Sequence, residues 1–107
     1  MNSKRKGNAG EREFAALLRE HGYNARRGLQ YQGGQVEADV VGIPGYHLEI
    51  KRVEKLNINT AMAQSIRDAK ENETPVVCHR TNRHPWLTTI LTEDFLELLK
   101  KAEGVGT

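Results

Sequence analysis

Apolar residues Phe14, Leu17 and Leu18 recur at helical spacing after Asn8, and Gly22 suits a helix C-terminus, so the pattern predicts a first helix over residues 8 to about 21. His21 falls on its apolar face, where a packed histidine is expected rather than a base. Residues 23–27 can form a short strand. Residues 28–35, with Gly33 adjacent to Gly34, have the composition of a flexible loop. Residues 36–42 and 46–53 then read as two strands joined by a tight turn at Ile43, Pro44 and Gly45. Ile58, Met62, Ile66 and Ala69 mark a second amphipathic helix, with Asn59 or Thr60 as its cap. Strands follow over 75–80 and 87–91, separated by a loop at 81–85, and Thr92 caps a last helix carrying Phe95, Leu98 and Leu99. Helix, three strands, helix, two strands, helix is an α/β order that predicts one mixed central sheet flanked by helices.

A length of 107 residues suits a single domain over 1–107, with 1–7 as a basic N-terminal arm and 104–107 as a frayed tail. A charged fraction of 28% beside a hydrophobic fraction of 37% excludes the compositions of disordered chains. No apolar run approaches the roughly 20 residues that cross a bilayer, and no apolar stretch follows the basic start, so a cytoplasmic protein without a membrane partner is expected. Cys78 is the single cysteine, which excludes an internal disulfide or a thiolate metal centre and leaves a buried strand residue. The net charge of +2 does not by itself argue for nucleic acid. Its distribution says more: Lys4, Arg5 and Lys6 cluster, as do Arg26 with Arg27, and Lys51 with Arg52 and Lys55. His79, His84, Arg83 and Trp86 lack tight metal-ligand spacing, which favours packing or substrate contact over a zinc site.

Candidate chemistry begins in the strand His47-Leu48-Glu49-Ile50-Lys51. Alternation puts Leu48 and Ile50 on one face and Glu49 with Lys51 on the other. Asp39 stands in a segment otherwise suited to burial. It lies ten residues from Glu49 across the turn, near the mirror position of the hairpin, where opposed side chains come within roughly 5 Å. Two carboxylates at that separation suit a hard divalent cation such as Mg²⁺. The plainer alternative is an Asp39–Lys51 salt bridge beside an exposed Glu49. A third acid could come from the first helix, where Glu11 and Glu13 border the Phe14, Leu18 stripe on opposite sides and helical geometry barely separates them.

Together these residues resemble the PD-(D/E)xK nucleases, and among them the archaeal and phage Holliday junction resolvases and the virus-type replication-repair nucleases. Lys6-Gly7-Asn8-Ala9-Gly10-Glu11-Arg12-Glu13 is similar to the resolvase opening, in which the first acid, here Glu11, is the functional one. Asp39 takes the place of the strand aspartate, Glu49-Ile50-Lys51 is similar to the (D/E)xK triplet, and the element order matches the restriction-endonuclease-like αβββαβ core. The chain departs from the pattern at Glu37-Ala38, which stands before Asp39 in place of the family's proline, and in the loop over 28–35, which is only loosely like that of the resolvases.

The resemblance implies a metal-dependent DNA endonuclease that hydrolyses phosphodiester bonds. Asp39, Glu49 and the Ile50 carbonyl would hold Mg²⁺, with Mn²⁺ able to substitute. Glu11 would hold a metal directly or through water, and Lys51 would orient water and neutralise charge on the phosphate. Gln64 is similar to a glutamine found on the second helix of such nucleases, although its helical angle, off the Met62, Ile66 stripe, reads as a surface amide. Lys4, Arg5, Lys6, Arg12, Arg26, Arg27 and Arg52 would contact phosphates. The expected substrate is branched DNA, with Holliday junction resolution in phage or prophage DNA processing as the leading role and a homodimer as the expected assembly. The alternatives are a flap or nicking replication-repair nuclease and a non-catalytic DNA-binding module. Against the latter stands the full set of Glu11, Asp39, Glu49 and Lys51. Glu11 shares its side of the helix with Ala15 and Leu18, whereas Glu13 lies toward Ala16, Leu17 and Glu20 and is expected nearer the solvent border.

Overall fold

The computed structural model describes residues 3–29 and 37–104, with backbone alone for 3–7. Most of the expected loop over 28–35 therefore lies outside the described residues, as do the start of the expected strand at 36 and the tail beyond Gly104. Helix α1 spans Ser3–Glu20, and strands β1 (Arg26–Arg27), β2 (Val40–Val41) and β3 (Tyr46–Arg52) follow. Helix α2 (Ile58–Asp68), strands β4 (Thr74–Arg80) and β5 (Leu87–Ile90) and helix α3 (Thr92–Ala102) complete the chain. The strands form one five-stranded sheet in the order β1-β2-β3-β4-β5. Only β3 and β4 run parallel, because α2 crosses between them; the other neighbours are antiparallel.

Alternation along the central strands sorts the core into two layers. Leu48, Ile50, Val76 and Cys78 face one side, where Phe14 and Ala15 of α1 cover them together with Val40. Val77 faces the other side and packs on Ala61 and Met62 of α2. His47, Glu49 and Lys51 share the α2 side by the same alternation. Trp86 closes the α1 layer edge-on to Phe14, with ring centroids 4.9 Å apart.

Several expectations need correction. The basic residues Lys4, Arg5 and Lys6 lie on the first turns of α1 rather than on an arm, because nothing between Ser3 and Gly7 interrupts a run of good helix formers. His21 is exposed: α1 stops before it, and its Nδ1 hydrogen-bonds the Leu17 carbonyl at 2.9 Å. Asn57, not Asn59 or Thr60, caps α2, its side chain accepting from the Thr60 N–H. Leu91 occupies the cap position of α3 without a side-chain bond, and Glu93 and Asp94 in the first turn complement the helix dipole instead.

The buried face of α2 also differs from the Met62, Ile66 stripe. It is Ala61, Met62 and Ser65, while Ile66 is exposed. Ser65 can be buried because its hydroxyl donates to the Val76 carbonyl and accepts from the Val76 N–H, each at 3.1 Å. On α3 no residue is buried, and Phe95, Leu96, Leu98 and Leu99 stay exposed. Among the described residues, no helix is long and apolar enough to cross a membrane.

Candidate active site

Strand β2 is two residues long rather than the seven expected over 36–42, and the cause lies at the site itself. The register pairs Val40 with Leu48, so one step further sets Asp39 opposite Glu49. Asp39 Oδ2 accepts the Ile50 N–H at 2.9 Å, so a side-chain oxygen takes a β3 amide that a longer β2 would have met with a carbonyl. Behind Asp39 the chain is clamped by Gly28, whose N–H donates to the Asp39 carbonyl at 2.8 Å. A Cβ on Gly28 would stand 1.7 Å from the Ala38 carbonyl oxygen, so only glycine permits this approach.

The resulting acids are crowded. Burial pushes the Asp39 carboxyl up to about 7, the charge of Glu49 adds to this, and Glu11 contributes more weakly, while the Ile50 N–H opposes the rise. Glu49 is only 3% exposed. Its Oε1 bonds His47 Nε2 at 3.0 Å, but Oε2 is buried and has no hydrogen-bond partner among the described residues. Leaving a buried carboxylate oxygen unpaired costs on the order of 1–3 kcal/mol or more. His47 is shifted upward, chiefly by its hydrogen bond to Glu49.

Lys51 follows Glu49 on the same face and is half-buried. The ion pairs among the described residues do not include it, which argues against the Asp39–Lys51 salt bridge. A buried carboxylate pair in which Asp39 holds its proton up to about pH 7 and one Glu49 oxygen has no hydrogen-bond partner among the described residues is an arrangement that a divalent cation would relieve, so these donors fit a hard metal ion. For Ile50 the structure shows the N–H on Asp39; it assigns no partner outside the sheet to the carbonyl.

Glu11 and Glu13 come apart clearly. The approach of α1 to β3 is close at Gly10, where a Cβ would meet the Arg52 Cβ at 2.8 Å. Next to it Glu11 accepts Arg27 Nε at 3.1 Å, and Arg27 also donates to Asn8 Oδ1 at 2.9 Å. Glu13 is the more exposed of the two, 36% against 19% for the Glu11 side chain, as expected of the solvent border, yet it is not free. It accepts from Arg80 and from Trp86 Nε1, the latter at 2.8 Å, and pairs with Arg52 Nε at 3.5 Å. Those partners lie 39 to 73 residues away in sequence, beyond the reach of helical angles.

Gln64 is half-buried and lines a cleft of about 420 Å³ with Asp39, His47, Glu49 and Asp68, so it is not the surface amide its angle suggested. The rotation of α2 that exposes Ile66 turns Gln64 inward. Among the expected phosphate contacts, Arg12 is exposed, Arg26 is bonded to Glu37 at 2.9 and 3.0 Å, Arg27 is held by Glu11 and Arg52 lies against Glu13. The side chains of Lys4, Arg5 and Lys6 lie outside the description. The sequence reading passed over His47 and Asp68. The signals were present: His47 is two residues before Glu49 on one strand face, and Asp68 is one helical turn beyond Gln64.

A family model described as archaeal Holliday junction resolvase (Hjc) matches residues 2–93 of the chain. The crystal structure of Archaeoglobus fulgidus Hjc, a Holliday junction resolvase from an archaeal hyperthermophile, is similar in fold, with a TM-score of 0.53 at 19% sequence identity over 79% of this chain and 72% of that one. No curated protein matches the chain.

Proposed function

The chain belongs to the archaeal Holliday junction resolvase family, and on that basis we propose that it is a structure-selective, Mg²⁺-dependent DNA endonuclease that acts as a homodimer on four-way junctions, in phage or prophage DNA processing, with residues 1–107 as one nuclease domain. The observation that carries this reading is the meeting of Asp39 and Glu49 across β2 and β3, with Glu11 close enough to raise Asp39 further and one Glu49 oxygen buried unpartnered.

Asp39 and Glu49, joined by the Ile50 carbonyl, would hold Mg²⁺, or Mn²⁺ in its place, and Glu11 would complete the set. A bound cation supplies Lewis-acid stabilisation of the charged phosphate and lowers the pKa of water. The rest falls to the chain itself. Lys51, on the Glu49 face, orients water and offsets negative charge growing on the phosphoryl oxygens. Water adds to phosphorus, the bond to one deoxyribose oxygen breaks, and the proton passes to that oxygen. Gln64 lines the cleft and can hydrogen-bond water or phosphate there. Arg12 and the basic first turns of α1 position the backbone without reading bases. The exposed Phe95, Leu96, Leu98 and Leu99 supply an apolar surface for a second copy, and a two-fold enzyme matches a junction cut in paired strands.

The test is cleavage of labelled four-way junction, flap, nicked and linear DNAs with and without Mg²⁺, using the wild type and Asp39→Asn. Junctions should be cut first, only with the metal, and not by the variant. Equal cutting by Asp39→Asn would remove the reading. Preference for flaps or nicks would keep the chemistry and replace the substrate.

A further inference from the structure

Ligand-bearing side chains continue beyond Asp39 and Glu49. His47 precedes Glu49 on the same face of β3, and Asp68 closes α2 above it. One ligand atom from each of His47, Glu49 and Asp68 lies within 4.8 Å of the others. His47 and Glu49 are both buried, at 3% exposure, while Asp68 stands at the exposed rim. A plain buried His47–Glu49 hydrogen bond would account for Oε1 of Glu49 but leaves Oε2 buried and, among the described residues, without a hydrogen-bond partner.

The setting of His47 also exceeds what such a bond needs. Carboxylates approach it from three directions: Glu49 on β3, Asp68 on α2, and Glu73 before β4, whose Oε1 lies 3.7 Å from Nδ1. Arg67, which lines the same cleft, pairs with Asp68 Oδ1 at 3.2 Å in an exposed contact, an interaction of little strength. The cleft that exposes Asp39 and Glu49 also reaches His47 and Asp68, so an ion has a path to them.

We propose that His47, Glu49 and Asp68 form a second divalent-cation site, sharing Glu49 with the site assigned above to Asp39 and Glu49. Its imidazole ligand biases it toward Mn²⁺, Co²⁺ or Zn²⁺, whereas an all-oxygen set suits Mg²⁺. The chain is thereby built to hold two ions of different character side by side on one bridging carboxylate. The proposal rests on the reading of Glu49 as a ligand of the cleavage site, and is separable from it because His47 and Asp68 play no part there.

The experiment counts Mn²⁺ bound to the full chain without DNA, by electron paramagnetic resonance, and looks for nitrogen coupling to the bound ion by the pulsed form of the same method. The wild type should bind two ions, one of them nitrogen-coupled. Asp68→Asn should weaken the nitrogen-coupled ion by roughly tenfold or more, and His47→Gln should remove the coupling. Asp39→Asn should lose the other ion and keep the coupling. Because His47 is buried and its variant could fail to fold, the exposed Asp68→Asn decides the matter alone. Nitrogen coupling absent from the wild type, or an unchanged Asp68→Asn titration, overturns the second site. One ion lost equally in Asp39→Asn and Asp68→Asn overturns it too, by showing a single shared ion. Two ions with no cleavage of any DNA would instead remove the nuclease reading and leave this site standing.

Discussion

Glu11 and Glu13 sit two residues apart on α1 and meet opposite surroundings. Glu13 is ringed by partners from distant parts of the chain: Arg80 from β4 and Trp86 from the stretch before β5 donate to it, and Arg52 at the end of β3 pairs with it by charge. Its charge is more than offset, and the carboxylate ties the helix to the sheet. Among the described residues Glu11 pairs with Arg27 alone, and its charge helps to raise the proton affinity of Asp39. One acid is neutralised by the fold, and the other joins a surplus of negative charge that the fold leaves in place. An excess of like charge costs stability and is retained where a ligand needs it.

The largest expected effect tests this contrast directly. Glu11→Gln should lower cleavage by roughly a hundredfold or more, as loss of a metal-site carboxylate does, with little change in melting temperature. Glu13→Gln should do the reverse. It breaks a charge-assisted network worth about 1–3 kcal/mol, and each kcal/mol lowers the melting temperature of a domain this size by roughly 4–8 °C. Cleavage measured well below that temperature should be near that of the wild type. If Glu13→Gln is inactive and Glu11→Gln cuts normally, the roles are exchanged.

Much of the site was legible because it is encoded locally. Alternation placed Glu49 and Lys51 on one face, and the spacing across Ile43, Pro44 and Gly45 set Asp39 against Glu49, as the Val40–Leu48 register bears out. The element order and the mixed sheet followed in the same way. What stayed hidden depends on tertiary detail. The rotation of α2 turned on Ser65, whose burial is allowed only by backbone partners in β4, and with that rotation Gln64 and Asp68 moved onto the cleft. The fate of Glu13 depended on Arg80 and Trp86, and the shortness of β2 on a side chain replacing a backbone acceptor.

The surplus charge should also appear as a pH dependence without any DNA. Asp39 keeps its proton to about pH 7 in the folded chain and ionises near 3.8 in an unfolded one, so between those limits the folded state binds more protons than the unfolded one. Its contribution is therefore fully present below about pH 4 and lost as pH rises through 7. The raised His47 acts in the same sense. In chelator, the melting temperature should fall by several degrees from pH 5.5 to pH 8. Asp39→Asn should flatten that slope, and added Mn²⁺ should restore stability most at the higher pH. A metal-free protein that is equally stable at both pH values would mean the acids are not in conflict.

The same division between offset and surplus charge separates the arginines, and it yields the smallest effect. Arg26, Arg27 and Arg52 already face Glu37, Glu11 and Glu13, whereas Arg12 is exposed on α1 and absent from the ion pairs of the described residues. An arginine bound to an acid has little charge left for a phosphate, so its removal releases few counterions; an unencumbered one contributes close to its full share. Arg12→Ala should therefore reduce the slope of log affinity against log salt by roughly one, equally for every DNA sequence, and leave cleavage at saturating DNA unchanged. Arg26→Ala should alter the slope by less. Arg27→Ala should behave as neither: its slope should barely move, while cleavage falls because Glu11 loses the group that holds it. Binding isotherms at several salt concentrations, read beside saturated cleavage rates for the three variants, decide the point. An Arg27→Ala variant with a reduced salt slope and normal cleavage would place that guanidinium on DNA and remove it from the support of Glu11.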